Sequence, residues 1–311
     1  MAISTRVLAG ALVMFGASFN FAARAQTPVA IDGDRIYPES LDSGADGTLY
    51  IGSIGQGNVY RAKPGAAKAT LWIAKSAGKI SRITGVLTDE PHGRLWICSS
   101  DMLKTGEPVS LKAFDIKSGA LEADYPFPES KGLCNDVAIG KDGTAYATDT
   151  PSARVFRLRP GATALEQWAA DPRFTGIDGI AFGADGSLYV TNVRTGLLFH
   201  IAMQSDGSAG AITQVQTSRP LDGPDGFRPT GDGRFVIAEN FGNKVSIGTF
   251  DGDKLQIDTV EQGFDNPPGV TVVANTIWVI ESKSKYRNDP IFKAEEPGTF
   301  YVTPVPLAPK K

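Results

Sequence analysis

Asp46-Gly47-Thr48-Leu49-Tyr50-Ile51 returns along the chain as His92-Gly93-Arg94-Leu95-Trp96-Ile97, Asp142-Gly143-Thr144-Ala145-Tyr146-Ala147 and Asp185-Gly186-Ser187-Leu188-Tyr189-Val190. Two further copies are Asp232-Gly233-Arg234-Phe235-Val236-Ile237 and a shortened Ala274-Asn275-Thr276-Ile277-Trp278-Val279. An apolar strand precedes each copy, and the glycine marks a tight turn. The aligned apolar positions 49, 95, 145, 188, 235 and 277 are spaced by 46, 50, 43, 47 and 42 residues. That spacing is the length of one four-stranded propeller blade, with Asp-Gly expected to form a two-residue hairpin. Third strands follow in Asn58-Val59-Tyr60-Arg61-Ala62, Arg154-Val155-Phe156-Arg157-Leu158 and Lys244-Val245-Ser246-Ile247-Gly248. The pattern predicts an all-β fold: a six-bladed β-propeller of four-stranded antiparallel blades, one domain over residues 26–311. A β-sandwich has no reason to repeat six times at this period. No Trp-Asp dipeptide occurs, which speaks against a tryptophan-aspartate repeat. Closure of the ring falls to residues 299–305 or 28–36.

Composition narrows the function. The 311 residues carry 31 Lys+Arg against 34 Asp+Glu, a formal charge of −3, so no basic face for nucleic acid is expected. With 35 Gly and 20 Pro there is little room for long helices. Two Cys and two His cannot build a disulfide framework or a multi-histidine metal site. Met1 to Arg6, the apolar run Val7 to Phe15 and the small-x-small stretch Ala23-Arg24-Ala25 read as a signal peptide over residues 1–25, cleaved before Gln26. Asn20 and Arg24 interrupt the apolar stretch before spanning length, so the mature chain is expected outside the membrane, periplasmic or secreted. Such a compartment permits a Cys98–Cys134 disulfide, while two buried free thiols are an equal reading.

The first strand of each blade should line the central axis. Eight residues before the hairpin glycine stand Glu39, Asn135, Asp178 and Asp225, in four of the six repeats; the other two give Gly85 and Pro267 or Pro268. Solvated turn-forming residues are the bland alternative for each one alone. The shared offset places four oxygen-bearing side chains at one depth, where they would repel unless a cation sat among them. An all-oxygen set suits one divalent cation, calcium first, with magnesium, manganese or zinc as substitutes.

Motifs for other chemistries are missing: no Gly-x-Ser-x-Gly, no His-Glu-x-x-His and no phosphate loop. His92 and His200 fall at the far ends of their strands. A second aligned set, Ser53, Ser99, Asp149, Asn192, Glu239 and Glu281, ends the second strands. Backbone hydrogen bonding is the expectation for Ser53, Asp149 and Asn192. Glu239 and Glu281, with Asp101, Arg194 and Asn240 on nearby loops, are candidate substrate contacts.

Pro38-Glu39, Cys134-Asn135-Asp136-Val137, Gly176-Ile177-Asp178-Gly179 and Gly223-Pro224-Asp225-Gly226 resemble the regucalcin/gluconolactonase (senescence-marker-protein-like) family of six-bladed propellers. More distant similarity is to paraoxonase-like and strictosidine-synthase-like proteins. The resemblance spans Ile36 to about Ser284. It implies a metal held by Glu39, Asn135, Asp178 and Asp225, and hydrolysis of a small-molecule lactone or related ester. In the implied mechanism the metal polarises the carbonyl and Asp225, or after it Asp136, activates water. Where sugar-lactone members often carry Arg two residues before the Asn, this chain has Leu133, which opens the reading to less polar substrates. Ser40 replaces the acid of a second, structural calcium site, so none is expected. A monomer is expected. The alternative is a non-catalytic propeller binding a ligand or partner through the same face.

Overall fold

The computed structural model describes residues 26–102, 106–128 and 132–310; the expected export segment 1–25 lies outside them. The fold is all-β. The described strands form three four-stranded sheets, one of five strands and one of eight, and the successive copies of the repeat divide them into units. Unit 1 holds strands Pro38–Ser43, Leu49–Ser53, Val59–Ala62 and Lys68–Ile73, and unit 2 holds Ile83–Asp89, Arg94–Ser99, Ser110–Asp115 and Leu121–Pro126. Units 3, 4 and 5 begin at Cys134–Ile139, Ile177–Phe182 and Pro224–Pro229. Unit 6 runs Gly269–Val273, Thr276–Ile280, Phe300–Pro306, and its outermost strand is Val29–Ile31 from the other end of the sequence. Both candidate closing segments are therefore used, paired with each other. Val29–Ile31 also runs parallel to Lys68–Ile73, joining units 6 and 1 into one eight-stranded sheet.

The first strand of every unit packs against the first strand of the next, and Gly269–Val273 packs back on Pro38–Ser43. Each sheet is thus covered on both faces, so its second strand is apolar at successive positions instead of alternating with polar ones. In unit 1, Leu49 and Ile51 join the cluster that includes Trp278 and Ile280 of unit 6, whereas Tyr50 joins Ile83, Val86 and Ile97 of unit 2. Tyr146 faces unit 4 and Tyr189 faces unit 5 by the same rule. The aromatic residue of the repeat is the side chain that fills the gap to the following unit.

The hairpins differ from the two-residue expectation. Gly47 N–H donates to the Gly44 carbonyl at 2.8 Å, and Gly44 N–H to Thr48 O at 2.8 Å, so the loop is Ala45-Asp46-Gly47. Gly47 takes φ 82° while Asp46 accepts from the Thr48 N–H and hydroxyl at 2.8 and 2.9 Å. This is a three-residue loop closing on a glycine bulge, because the short Asp side chain bonds the backbone two residues ahead. Among the described residues, unit 6 alone joins its first and second strands by a two-residue connection, Ala274-Asn275. Among the described residues no helix is long and apolar enough to cross a membrane.

Candidate functional site

Five of the six first strands carry a pairing irregularity near their start, and the candidate ligands sit in it. The ladder is broken between Pro38 and Ser40, Cys134 and Val137, Ile177 and Ile180, and Pro224 and Phe227. Glu39, Asn135, Asp178 and Asp225 lie within those breaks. A bulge re-aims the side chain it carries. Unit 2 has the same break between Ile83 and Gly85, which makes Thr84 its equivalent and corrects the sequence assignment of Gly85. The eight-residue count slipped there because a 3₁₀ turn, Glu90–His92, replaces the Asp-Gly loop and adds one residue. Unit 6 pairs without a break, and Pro268 and Gly269 form its part of the wall.

Glycines let these strands come close. A Cβ on Gly179 would stand 2.4 Å from the Asp225 carbonyl oxygen, and one on Gly226 would stand 2.6 Å from that of Pro268. The result is a cavity of about 10 Å³, room for one water-sized body, lined by Glu39, Thr84, Asp136, Asp178, Asp225 and Arg228 among others. Asn135 is not in the cavity wall but acts on Asp178, and it donates to Thr150 Oγ1 at 3.0 Å. The Asp178 and Asp225 carboxyls are close enough for each to act on the other, and Asn240 Nδ2 donates to Asp225 Oδ2 at 2.9 Å.

Burial, then the negative charge of Glu39 and of Asp136, pushes the Asp178 carboxyl up to about 8. Burial, then Asp178 and Glu39, raises Asp225 well above the ordinary carboxylate range. Burial raises Glu39 too, opposed by the charges of Arg287 and Arg82. Neighbouring buried carboxyls cannot all ionise unless a positive species lies between them. Among the described residues, no three Asp, Glu, His or Cys side chains form a ready-made metal cluster as they stand. The donor chemistry nevertheless fits a hard cation: three carboxylates and one amide oxygen, with no sulfur or imidazole. Closing them round one ion requires side-chain rotation.

Asp136 has another occupation. Arg228 Nη1 and Nη2 donate to its two oxygens at 2.6 and 2.9 Å, and Ile180 N–H adds a bond at 3.2 Å. Arg228 Nε lies 3.9 Å from Asp42 Oδ1, and Asp42 accepts from the Thr88 N–H and hydroxyl. Asp136 is therefore a fixed counter-ion in a buried plug beneath the acidic residues. Burial disfavours the Arg228 charge, but Asp136 and Asp42 outweigh it and raise its pKa. Cys98 and Cys134 form a disulfide, Cα–Cα 5.1 Å, tying unit 2 to the strand that carries Asn135 and Asp136.

The strand-end set turns out to be one structural device. Ser53 donates to the Ile36 carbonyl, Ser99 accepts from Ser81 N–H, and Asp149 accepts from Leu133 N–H. Asn192 donates to Thr175 O, Glu239 accepts from Asp222 N–H, and Glu281 accepts from Asp265 N–H. Each bond reaches 16 to 18 residues back, to the segment that enters the first strand of the same unit. Glu239 is 0% exposed and is further bound by Arg219 at 2.6 Å and by Ser246 at 2.5 Å. Glu239 and Glu281 thus hold the loops in place. Asp101 accepts from Ser81 Oγ at 3.0 Å and from Gly106 N–H at 2.9 Å, and Arg194 is exposed over Gly176. Of the five candidate substrate contacts, Asn240 is the one bonded to a member of the acidic set.

Sequence reading missed Thr84, Arg228, Arg82 and Arg287. Structural pairing identifies Thr84, and the repeat gives no signal for the arginines.

The sequence matches the family model SMP-30/Gluconolactonase/LRE-like region over residues 38–271. No curated protein sequence matches it. Among solved structures it is similar to regucalcin, a calcium-binding protein from Agrobacterium tumefaciens, with TM-score 0.67 and 15% identity over 91% of this chain and 95% of that one. A gluconolactonase from Xanthomonas campestris gives TM-score 0.63 at 16% identity, covering 91% and 96%. Virginiamycin B lyase from Staphylococcus aureus gives 0.61 at 15%, covering 81% and 80%. At these identities the structural likeness speaks for the fold, while the family match spans most of the chain: the protein belongs to the SMP-30/gluconolactonase/LRE-like family.

Proposed function

We propose that this protein is an exported hydrolase of a lactone or related ester, built as a single six-bladed β-propeller over residues 26–311 and dependent on one divalent cation. The cyclic packing of six first strands supports the propeller. The N-terminal pattern, together with the Cys98–Cys134 disulfide, supports export to an oxidising compartment.

The observation that supports the function is the meeting of Glu39, Asp178 and Asp225, from three units, at one small cavity, with Asn135 of a fourth unit acting on Asp178. These four would hold the cation, calcium first because every donor is a hard oxygen. When bound, such a cation polarises an ester carbonyl and stabilises the oxyanion that develops on it. Asp225 is the base that takes a proton from the attacking water, and Asn240 orients its carboxylate through Oδ2. Both Asp136 oxygens are taken up by Arg228, so its part is to hold that guanidinium and not to activate water. Leu133, with exposed Met102, Phe241 and Ile291 on loops at this end, suits a substrate with an apolar body.

Histidine chemistry has no foothold here. His92 is bound to Asp89 at 2.7 Å in a far-end turn, and His200 stands 3.6 Å from Asp185 at that end. This weighs against a mechanism like that of the virginiamycin B lyase, which is inactive as a histidine variant.

Purified mature protein tested on a panel of lactones and esters should hydrolyse at least one. A chelator should abolish turnover and calcium should restore it. Calcium at a hundredfold excess over Kd should also stabilise folding by about 2.7 kcal/mol, read by thermal or urea unfolding. Calcium binding with no hydrolysis across the panel would leave a binding propeller and end the enzyme reading.

A further inference from the structure

The four units that supply a carboxylate or amide account for only part of the ring. Units 2 and 6 place Thr84 and Gly269 at that level, and they are the two neighbours of unit 1, which carries Glu39. Each of these two units brings an arginine instead. Arg82 directly precedes the strand Ile83–Asp89, its carbonyl held by Ser100 N–H at 2.9 Å. It stands in unit 2 where Leu133 stands in unit 3, two residues before the bulge position. Arg287 lies in the short helix Lys285–Asn288 that follows the second strand of unit 6. That helix is pinned by Tyr37 Oη donating to the Tyr286 carbonyl at 3.0 Å and by the Lys285–Asp265 ion pair at 3.3 Å.

Nε of Arg82 and both Nε and Nη1 of Arg287 are buried and have no hydrogen-bond partner among the described residues. Buried guanidinium N–H groups are rarely left so, since an unpaired donor gives up its water and gains nothing in return. The two side chains act on each other as like charges, and both act on Glu39. Glu39 alone does not satisfy them. Two half-buried forks in the units that flank Glu39, with donors unspent, are the chemistry of an oxyanion receptor, and a planar carboxylate matches a guanidinium fork two bonds at a time.

We propose that Arg82 and Arg287 form a carboxylate-binding subsite beside Glu39, and that the preferred substrate is a lactone or ester bearing a free carboxylate remote from the bond that is cleaved. This rests on the hydrolase reading above and adds the substrate class. The anionic end binds on the side of units 6, 1 and 2. The scissile carbonyl then lies toward Asp178 and Asp225 in units 4 and 5. The arginines fix orientation and contribute no proton.

The test uses γ-butyrolactone-γ-carboxylate and its neutral carboxamide as substrates, and tetrahydrofuran-2-carboxylate, its carboxamide and inorganic phosphate as calorimetric probes. Binding is measured on chelated and on calcium-loaded protein. The wild type should prefer each carboxylate over its carboxamide by about tenfold or more, with or without calcium. Arg82→Gln and Arg287→Gln should each remove most of that preference, and Arg82→Lys should retain part of it. Both Gln variants should keep hydrolysis of the neutral lactone, and their calcium affinity should be unchanged or tighter, because a positive charge near Glu39 is gone. If the Gln variants tighten calcium but leave carboxylate binding unchanged, the arginines only balance the acids and the proposal falls. Carboxylate binding that needs calcium and ignores the arginines overturns it as well, as does phosphate binding more tightly than carboxylate. In all three cases continued hydrolysis of the neutral lactone leaves the hydrolase reading standing. Absence of hydrolysis for every lactone, by contrast, overturns the reading on which the subsite rests.

Discussion

The two ends of the strand ring carry acidic residues at fixed places in the same repeat, yet their physics is opposite. At the hairpin end, Asp46, Asp142, Asp185 and Asp232 each bond a backbone N–H two residues ahead. The Thr48 amide and hydroxyl hold Asp46 below the ordinary carboxylate range, and Arg234 does the same for Asp232. For Asp142 burial works the other way, but the Thr144 amide and hydroxyl prevail. At the other end Glu39, Asp178 and Asp225 are raised, because they are turned away from water and toward one another. A carboxylate satisfied by its own loop is architecture. One forced against other carboxyls needs a partner that the chain does not supply, and that is where function is to be sought.

The largest effect that could break this contrast is on turnover. Asp225→Asn should lower kcat by about a hundred- to ten-thousand-fold on any lactone the wild type opens, with cooperative unfolding retained. An intact rate would remove Asp225 as the base. Next is the plug below it. Arg228→Met leaves Asp136 and Asp42 buried without their cation and should cost about 3–5 kcal/mol in urea unfolding. A loss below about 1 kcal/mol would show that water reaches the plug.

Glu239 offers a pH readout at the functional end. Burial disfavours its charge, but Arg219, Ser246 and the Asp222 amide prevail and hold its pKa below 4.5. A depressed carboxyl contributes stability that is present above its unfolded value and is lost as pH falls through the folded one. The wild type should therefore lose stability below about pH 4.5, and Glu239→Gln should flatten that limb while costing about 1–3 kcal/mol at neutral pH. The smallest effect belongs to the hairpin end: Asp46→Ala should cost about 0.5–1.5 kcal/mol and leave turnover unchanged. A large activity loss there would erase the distinction between the two ends.

Much of this was legible in the chain. The period of the Asp-Gly copies marked the units because a sheet covered on both faces must repeat one apolar pattern. Glu39, Asn135, Asp178 and Asp225 were found by counting from the glycine, since four hairpins share one loop length. The count failed in unit 2, where the Glu90–His92 turn is longer and Thr84 takes the place given to Gly85. Glu239 and Glu281 looked like site residues because charge at a strand end reads alike whether it meets substrate or backbone. Asp136 stood as the second candidate base because its partner, Arg228, is 92 residues away in sequence.

The sequence by itself determined the all-β repeat, its period and the four oxygen-bearing positions, because local turn geometry and apolar patterning repeat with the unit. Tertiary structure alone decided which acids are spent and which are left over. It locked Asp136 onto Arg228, turned the strand-end row into loop anchors, and left buried donors of Arg82 and Arg287 unpaired in the units that flank Glu39. The reason is that charge satisfaction depends on distance in space and on the exclusion of water, and neither is written in residue order.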